Sequence, residues 1–252
     1  MKVFFIGAGP GDPELLTVKA QRLLRECRIC VYAGSLIAPE VLHLLPTDAE
    51  KHDSASMQLE EIVSVFQRAR DRDIDVIRLH SGDPAIYGAI REQMNELDRL
   101  GIHYEVVPGV SSFLAAAAEL KTELTAPEVS QAVVLTRTSG RTPVPVTQDL
   151  GTLAATKATL CIFLSVHKVE DIAKVLGEHY GKDCPVAVLH KVTWPDQRIV
   201  RGTLADIAEK VAAAGITKTA LVIVGHALSR GNPSSKLYDA AFSHGYRAAK
   251  NS

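Results

Sequence analysis

The chain has little cysteine, no dominant sign of charge and no long apolar run. Four cysteines in 252 residues are too few for a disulfide framework. Cys27 and Cys30 form a lone C-x-x-C inside an apolar stretch, a pattern of buried thiols rather than of zinc or redox chemistry. Lys plus Arg number 28 against 29 Asp plus Glu, a formal charge of -1 that argues against a protein devoted to coating nucleic acid. The longest apolar stretches, Phe113 to Leu120 and Ala220 to Val224, fall far short of the ~20 residues that a membrane-spanning helix needs. Met1 to Ile6 runs straight into a strand pattern, without the basic, long-apolar and small-residue order of a signal peptide. The expectation is a cytoplasmic protein with no membrane or nucleic-acid partner. No H-x-x-H or His/Cys cluster occurs, so no bound metal is expected, and no Gly-Lys-Ser or Gly-Lys-Thr follows a glycine loop, which excludes a P-loop.

What is present is a globular composition, 46% hydrophobic and 23% charged, in a length that falls between one large domain and two modest ones. Strand and helix signals alternate. Lys2–Ile6, Ile29–Tyr32, Val76–Leu79 and Tyr104–Val107 read as strands. Between them, Leu16, Ala20, Leu23, Leu24 and Cys27, then Leu59, Ile62, Val63 and Phe66, then Ile86, Ile90, Met94 and Leu97 recur at helical spacing. Ser111–Leu120 is a further, Ala-rich helix. Periodicity lapses from Lys121 to Ser130, so an N-terminal α/β domain over 1–120 and a C-terminal one over 121–252 are expected. In the second half, Ala132–Thr136, Thr159–Leu164, Val186–Val192, Ile199–Gly202 and Leu221–Val224 read as strands, with helices over Val169–Tyr180 and Ala205–Ala214. Ile199–Gly202 follows Trp194-Pro195-Asp196-Gln197 closely enough to be the return arm of a hairpin, so the second sheet should be mixed.

Three loops carry the chemistry. Gly7-Ala8-Gly9-Pro10-Gly11-Asp12-Pro13 follows the first strand, with Asp12 placed to cap a helix that opens at Pro13. Ser81-Gly82-Asp83-Pro84 repeats the design after the Val76–Leu79 strand. Two such turns at the carboxyl ends of parallel strands put glycine backbone and two carboxylates on the rim where open α/β sheets bind ligands. The third loop, Val107-Pro108-Gly109-Val110-Ser111-Ser112, offers hydroxyls and N–H groups at a helix start. A dinucleotide-binding reading is disfavoured: in the G-x-G-x-x-G register Asp12 stands where the third glycine belongs, and Tyr32-Ala33-Gly34-Ser35 lacks an acid for a ribose.

Together these loops and the late strand Leu221–Val224 ending in Gly225 resemble the tetrapyrrole (corrin/porphyrin) methyltransferase family over about residues 1–230. Four details resemble the branch that methylates C11 of precorrin-4. They are Tyr32-Ala33-Gly34-Ser35-Leu36, Gly82 to Ala89, Arg137 to Pro145, and Lys191-Val192-Thr193-Trp194-Pro195-Asp196. Ser81 stands where uroporphyrinogen III methyltransferases carry glycine, and Ser111-Ser112 where they carry Thr-Ala.

The resemblance implies two α/β domains with parallel or mixed sheets and a cleft between them, a class III fold using S-adenosylmethionine and releasing S-adenosylhomocysteine. It implies methylation of precorrin-4 or cobalt-precorrin-4 at C11 in cobalamin biosynthesis, by a homodimer. Carried over by residue, it implies cofactor binding by Pro10, Gly82, Asp83, Ile86, Ser111, Ser112, Leu164, Val192 and Ala220. The polar rim makes Asp12 and Tyr87 the catalytic candidates. A many-carboxylate substrate calls for guanidinium groups, which Arg141 and Arg137 supply. Methylation at another position of the macrocycle, a tetrapyrrole carrier on the same fold and a dinucleotide-dependent dehydrogenase stay open as alternatives.

Overall fold

Every strand of the first half pairs in parallel, and the reason lies in how its helices cover both faces. The computed structural model describes residues 1–140, 142–239, 241–243 and 245–247. The described chain divides into two units, Met1–Ala116 with Lys191–Gln197, and Ala117–His190 with Arg198 onward.

In the first unit the elements run β1 (Lys2–Gly7), α1 (Val18–Arg25), β2 (Ile29–Tyr32), α2 (Pro39–Leu42), β3 (Glu50–Asp53), α3 (Leu59–Asp71), β4 (Val76–His80), α4 (Ile90–Arg99) and β5 (His103–Val107). Helix α5 (Ser112–Leu120) leads from this unit into the second. The sheet order is β3-β2-β4-β1-β5, parallel throughout. Ala20 and Leu24 of α1 pack with Ile6, Ile77 and Leu79 on one face. Ile62 and Phe66 of α3 and Leu97 of α4 pack with Val3, Phe5 and Val76 on the other. With both faces covered, β4 is buried along its whole length, as parallel strands require.

That layering sets the course of the loops at one end of the sheet. The connection leaving β1 runs over one face and the connection leaving the adjacent β4 over the other, so the loops after these strands diverge at their carboxyl ends. This is a topological switch point, where open α/β sheets leave a crevice.

The second unit runs β6 (Val133–Arg137), α6 (Leu150–Ala154), β7 (Thr159–Phe163), α7 (Val169–Tyr180), β8 (Pro185–His190), β9 (Arg198–Thr203), α8 (Ile207–Ala213) and β10 (Ala220–Val224). Its sheet order is β6-β7-β10-β8-β9, with β6 and β7 parallel and the other pairs antiparallel. The sheet is mixed, as the hairpin reading required. Its core joins Leu160, Ile162, Leu176, Val188 and Val222. Two buried hydroxyls here are paired: Thr159 Oγ1 donates to the Leu124 carbonyl at 2.7 Å and the Tyr180 hydroxyl to Ala158 at 2.6 Å.

Three local expectations differ from the structure. The helix expected from Ile86 begins at Ile90, because Tyr87 and Ala89 take left-handed backbone angles (φ +55° and +48°) that no helix interior tolerates. Pro13 opens only a three-residue 3-10 turn, and α1 starts at Val18, capped by the Thr17 hydroxyl at 3.1 Å from the Ala20 amide. Strand β3 reads Glu-Lys-His-Asp, with no apolar alternation to reveal it, and is held at the sheet edge by its ladder to β2.

Candidate functional site

The three loops found in the sequence follow β4, β1 and β5, which are neighbours in the sheet. Gly7 and Gly109 meet the Gly82 carbonyl without room for side chains of their own. A Cβ on Gly7 would stand 2.5 Å from the Gly82 carbonyl oxygen and 2.6 Å from Gly109 Cα, and one on Gly109 would strike the same carbonyl. Gly9 and Gly82 also pair as a small antiparallel bridge, the Gly82 amide donating to Gly9 at 2.8 Å and the Gly9 amide to Gly82 at 3.2 Å. Both take left-handed angles, φ +68° and +64°, at which glycine costs least.

Asp83 ties two of the loops together. Its Oδ1 accepts from the Ala85 amide at 2.8 Å and its Oδ2 from the Gly109 amide at 2.9 Å. It therefore fixes the turn after β4 to the turn after β5 and caps no helix. Asp12 Oδ1 accepts from the Glu14 amide at 2.8 Å, capping the 3-10 turn. Pro10 and Ser111 are buried, while Asp12, Ile86 and Ser112 are partly exposed. A Cβ at Gly82 would lie in ordinary contact with the first turn of α5, 3.6 Å from Ser111 Cα and 3.8 Å from the Ser112 amide nitrogen. Tyr87 is 45% exposed and conformationally strained, a combination that clusters at functional sites.

Behind these loops β4 carries a buried polar pair on its α3/α4 face. Arg78 donates from Nε to Gln93 Oε1 at 2.9 Å and from Nη1 to the Val31 carbonyl at 3.3 Å, and burial lowers its guanidinium to about 10. His80, one residue before Ser81, is 4% exposed, and its Nε2 has no hydrogen-bond partner among the described residues. Burial first, and the Arg78 charge second, depress the imidazole to about 3, so it is neutral at pH 7.

In the second unit, Leu164 directly follows β7, with φ +55° and 64% of its surface exposed. It lines a cavity of about 380 Å³ with Arg137, Thr138, Gly140, Thr142 and His167. Two of the expected site residues are thus brought together. Arg137 is largely committed to its own loop: Nη1 donates to the Thr142 carbonyl at 2.9 Å and Nη2 to Pro143 at 3.0 Å. Ser165, fully buried, accepts from the Thr138 amide at 2.9 Å and anchors the loop's base. Arg137→Ala should leave the sheet folded while amide exchange at Thr138 and Val144 accelerates at least tenfold; unchanged exchange would show that the loop holds without its guanidinium. Arg141 lies outside the described residues. Ala220 opens β10, and Val192 is buried in the first unit, not the second.

Thr193 and Trp194, for which the sequence suggested no individual role, meet the first loop. Trp194 Nε1 donates to the Pro10 carbonyl at 2.8 Å, and Thr193 Oγ1 accepts from the Asp12 amide at 3.0 Å. The available signal was the Lys191–Asp196 segment itself.

The family model described as Tetrapyrrole (Corrin/Porphyrin) Methylases matches residues 2–208. The chain belongs to this family. Among relatives of this methylase, a cobalt-precorrin-4 C(11)-methyltransferase of Methanocaldococcus jannaschii is 51% identical over 98% of this chain and 96% of its own length. A precorrin-4 C(11)-methyltransferase of Pseudomonas aeruginosa is likewise 51% identical, over 98% and 99%. Among solved structures, a cobalt precorrin-4 methyltransferase superposes with a TM-score of 0.88 at 43% identity, covering 90% of this chain and 96% of that one. The uroporphyrin-III C-methyl transferase of Thermus thermophilus, complexed with S-adenosylhomocysteine, gives 0.76 at 32% identity, covering 90% and 93%.

Proposed function

We propose that this methylase transfers a methyl group from S-adenosylmethionine to C11 of precorrin-4 or cobalt-precorrin-4 in cobalamin biosynthesis, as a cytoplasmic homodimer. The observation that carries the reading is the meeting of Gly7, Gly82 and Gly109 at the switch point of the parallel sheet, beside the serine-bearing first turn of α5. Relatives with equal identity are named for the metal-free and the cobalt substrate, so both belong to the proposal.

The residues fit the cofactor. A side chain on Gly82 would lie against Ser111 and the Ser112 amide, 3.6–3.9 Å from its Cβ, ground that glycine leaves to a ligand. On the first unit Pro10, Gly82, Asp83, Ile86, Ser111, Ser112 and Val192 would hold it. When bound, the sulfonium supplies an electrophilic methyl group. The work left to the chain is orientation and exclusion of water, effects that together are worth about 7–11 kcal/mol in well-aligned reactions. In this reading Asp12 is the proton acceptor, Tyr87 a substrate contact, and Arg141 pairs with the substrate's carboxylates, while Arg137 holds the Thr142 and Pro143 carbonyls of its own loop.

Titration calorimetry with S-adenosylhomocysteine, with NADH in parallel, tests the cofactor. Saturable heat from the first alone is expected; heat from NADH alone would overturn the assignment. Precorrin-4 supplied with S-adenosylmethionine should gain one methyl group at C11 by mass spectrometry and NMR, and light scattering should find two copies of the 27.2 kDa chain.

A further inference from the structure

Gly11 is a glycine whose need is spatial rather than conformational. A Cβ there would collide with Trp194 Cδ1, lie 2.5 Å from its Nε1 and stand 3.1 Å from Thr193 Oγ1. The neighbours on either side are held by the same two residues: the Pro10 carbonyl accepts from Trp194 Nε1 and the Asp12 amide donates to Thr193 Oγ1. Three successive residues of the first loop are therefore gripped by two residues about 180 positions away in sequence, within one unit.

The gripping segment is itself braced. The Thr193 amide donates to Gln197 Oε1 at 2.6 Å, the Trp194 amide to the Lys191 carbonyl at 3.0 Å, and the Gln197 amide to the Trp194 carbonyl at 3.0 Å. Lys191 Nζ lies 5.1 Å from the centre of the indole and pairs with Asp196 at 2.5 Å. Thr193 holds a left-handed angle, φ +68°, which is unfavourable for a β-branched residue and persists only where surrounding contacts impose it. A loop with glycines at 7, 9 and 11 has much backbone freedom to lose. A ligand that binds such a loop must pay for its ordering unless another part of the protein has already ordered it.

We infer that Trp194 and Thr193 are positioning residues that lock Pro10–Asp12 into its binding form before an S-adenosyl ligand arrives. The inference rests on the reading that this loop belongs to the cofactor site. Neither residue touches the ligand in this scheme; each acts through a backbone group of the loop.

The test uses the full chain as wild type, Trp194→Phe, Thr193→Val and Thr193→Ser. S-adenosylhomocysteine affinity is measured by calorimetry, and hydrogen exchange of residues 8–16 by mass spectrometry without ligand. Trp194→Phe and Thr193→Val should each speed exchange in this segment and weaken binding about tenfold, whereas Thr193→Ser, which keeps the hydroxyl, should bind within about twofold of wild type. Faster exchange with unchanged affinity would overturn the inference, leaving only a structural contact, as would unchanged exchange. Should Trp194→Phe fail to fold, the Thr193 pair decides alone. A wild-type protein that does not bind S-adenosylhomocysteine would overturn the cofactor reading and this inference with it, whereas normal binding by wild type and variants alike would overturn the lock only.

Discussion

Gly7→Ala should cost roughly 3 kcal/mol or more, the upper range for overpacking, and leave the first unit close to unfolding. The atoms that the new Cβ would meet, the Gly82 carbonyl and the Gly109 amide and Cα, are all backbone, so no rotamer change relieves the clash. Relief would need β1 to part from β4 and β5, its two neighbours in the sheet. Against a total stability of about 5–15 kcal/mol this is a large fraction. Gly177→Ala is the matched control: Gly177 lies inside α7 with nothing within 4 Å of its Cβ position. There the substitution should stabilise by about 0.5–1 kcal/mol, because alanine loses less backbone entropy in a helix. Urea denaturation of both variants checks the pair; a Gly7→Ala midpoint equal to wild type would mean that the three loops approach less closely than described.

Acid should destabilise the protein through His80. Its folded value, about 3, lies well below the ordinary 6.5, so between these values the unfolded chain binds a proton that the native state refuses. Stability is unaffected by this group above pH 6.5, falls as the pH drops below it, and levels off below pH 3. At about 1.4 kcal/mol per pH unit, the loss at pH 4 is roughly 3 kcal/mol. His80→Phe keeps a ring beside Phe5, whose centre lies 6.1 Å away, and removes the titrating group. Urea unfolding at pH 7 and pH 4 should show this variant losing about 3 kcal/mol less than wild type on acidification. Equal losses in the two proteins would assign the acid sensitivity elsewhere.

Much of the glycine-loop end of the first sheet was legible because its requirements are written in glycine. Gly7 and Gly109 sit at strand ends where close backbone approach admits no other residue, Gly82 holds a left-handed angle that favours glycine, and the parallel order of their strands follows from the β-α alternation. What stayed hidden depends on contacts between distant residues or on local angles. Ile86 continues the apolar spacing of α4, and nothing in that spacing announces the left-handed turn at Tyr87 and Ala89. The Asp83 carboxylate looked like a helix cap, yet one of its oxygens holds Gly109, 26 residues away. Arg137 looked free for a substrate, while the structure directs its guanidinium to carbonyls of its own loop. Trp194 and Thr193 were visible only as part of a family-like string, since their bonds to the first loop span more than 180 residues.

The membership of Lys191–Gln197 in the first unit bears on how the protein is made. A ribosome adding about 5–20 residues per second finishes Ala116 roughly 4–15 s before it reaches Lys191. During that interval all five strands of the first sheet exist, but the residues that hold Pro10 and Asp12 have not been synthesised. The nascent first unit can assemble its sheet and bury its two apolar faces, yet its glycine loop stays unlatched until most of the second unit has been translated. Completion of this loop is thereby timed to the synthesis of the partner unit, and a chain that stalls midway lacks the residues that finish its first glycine loop.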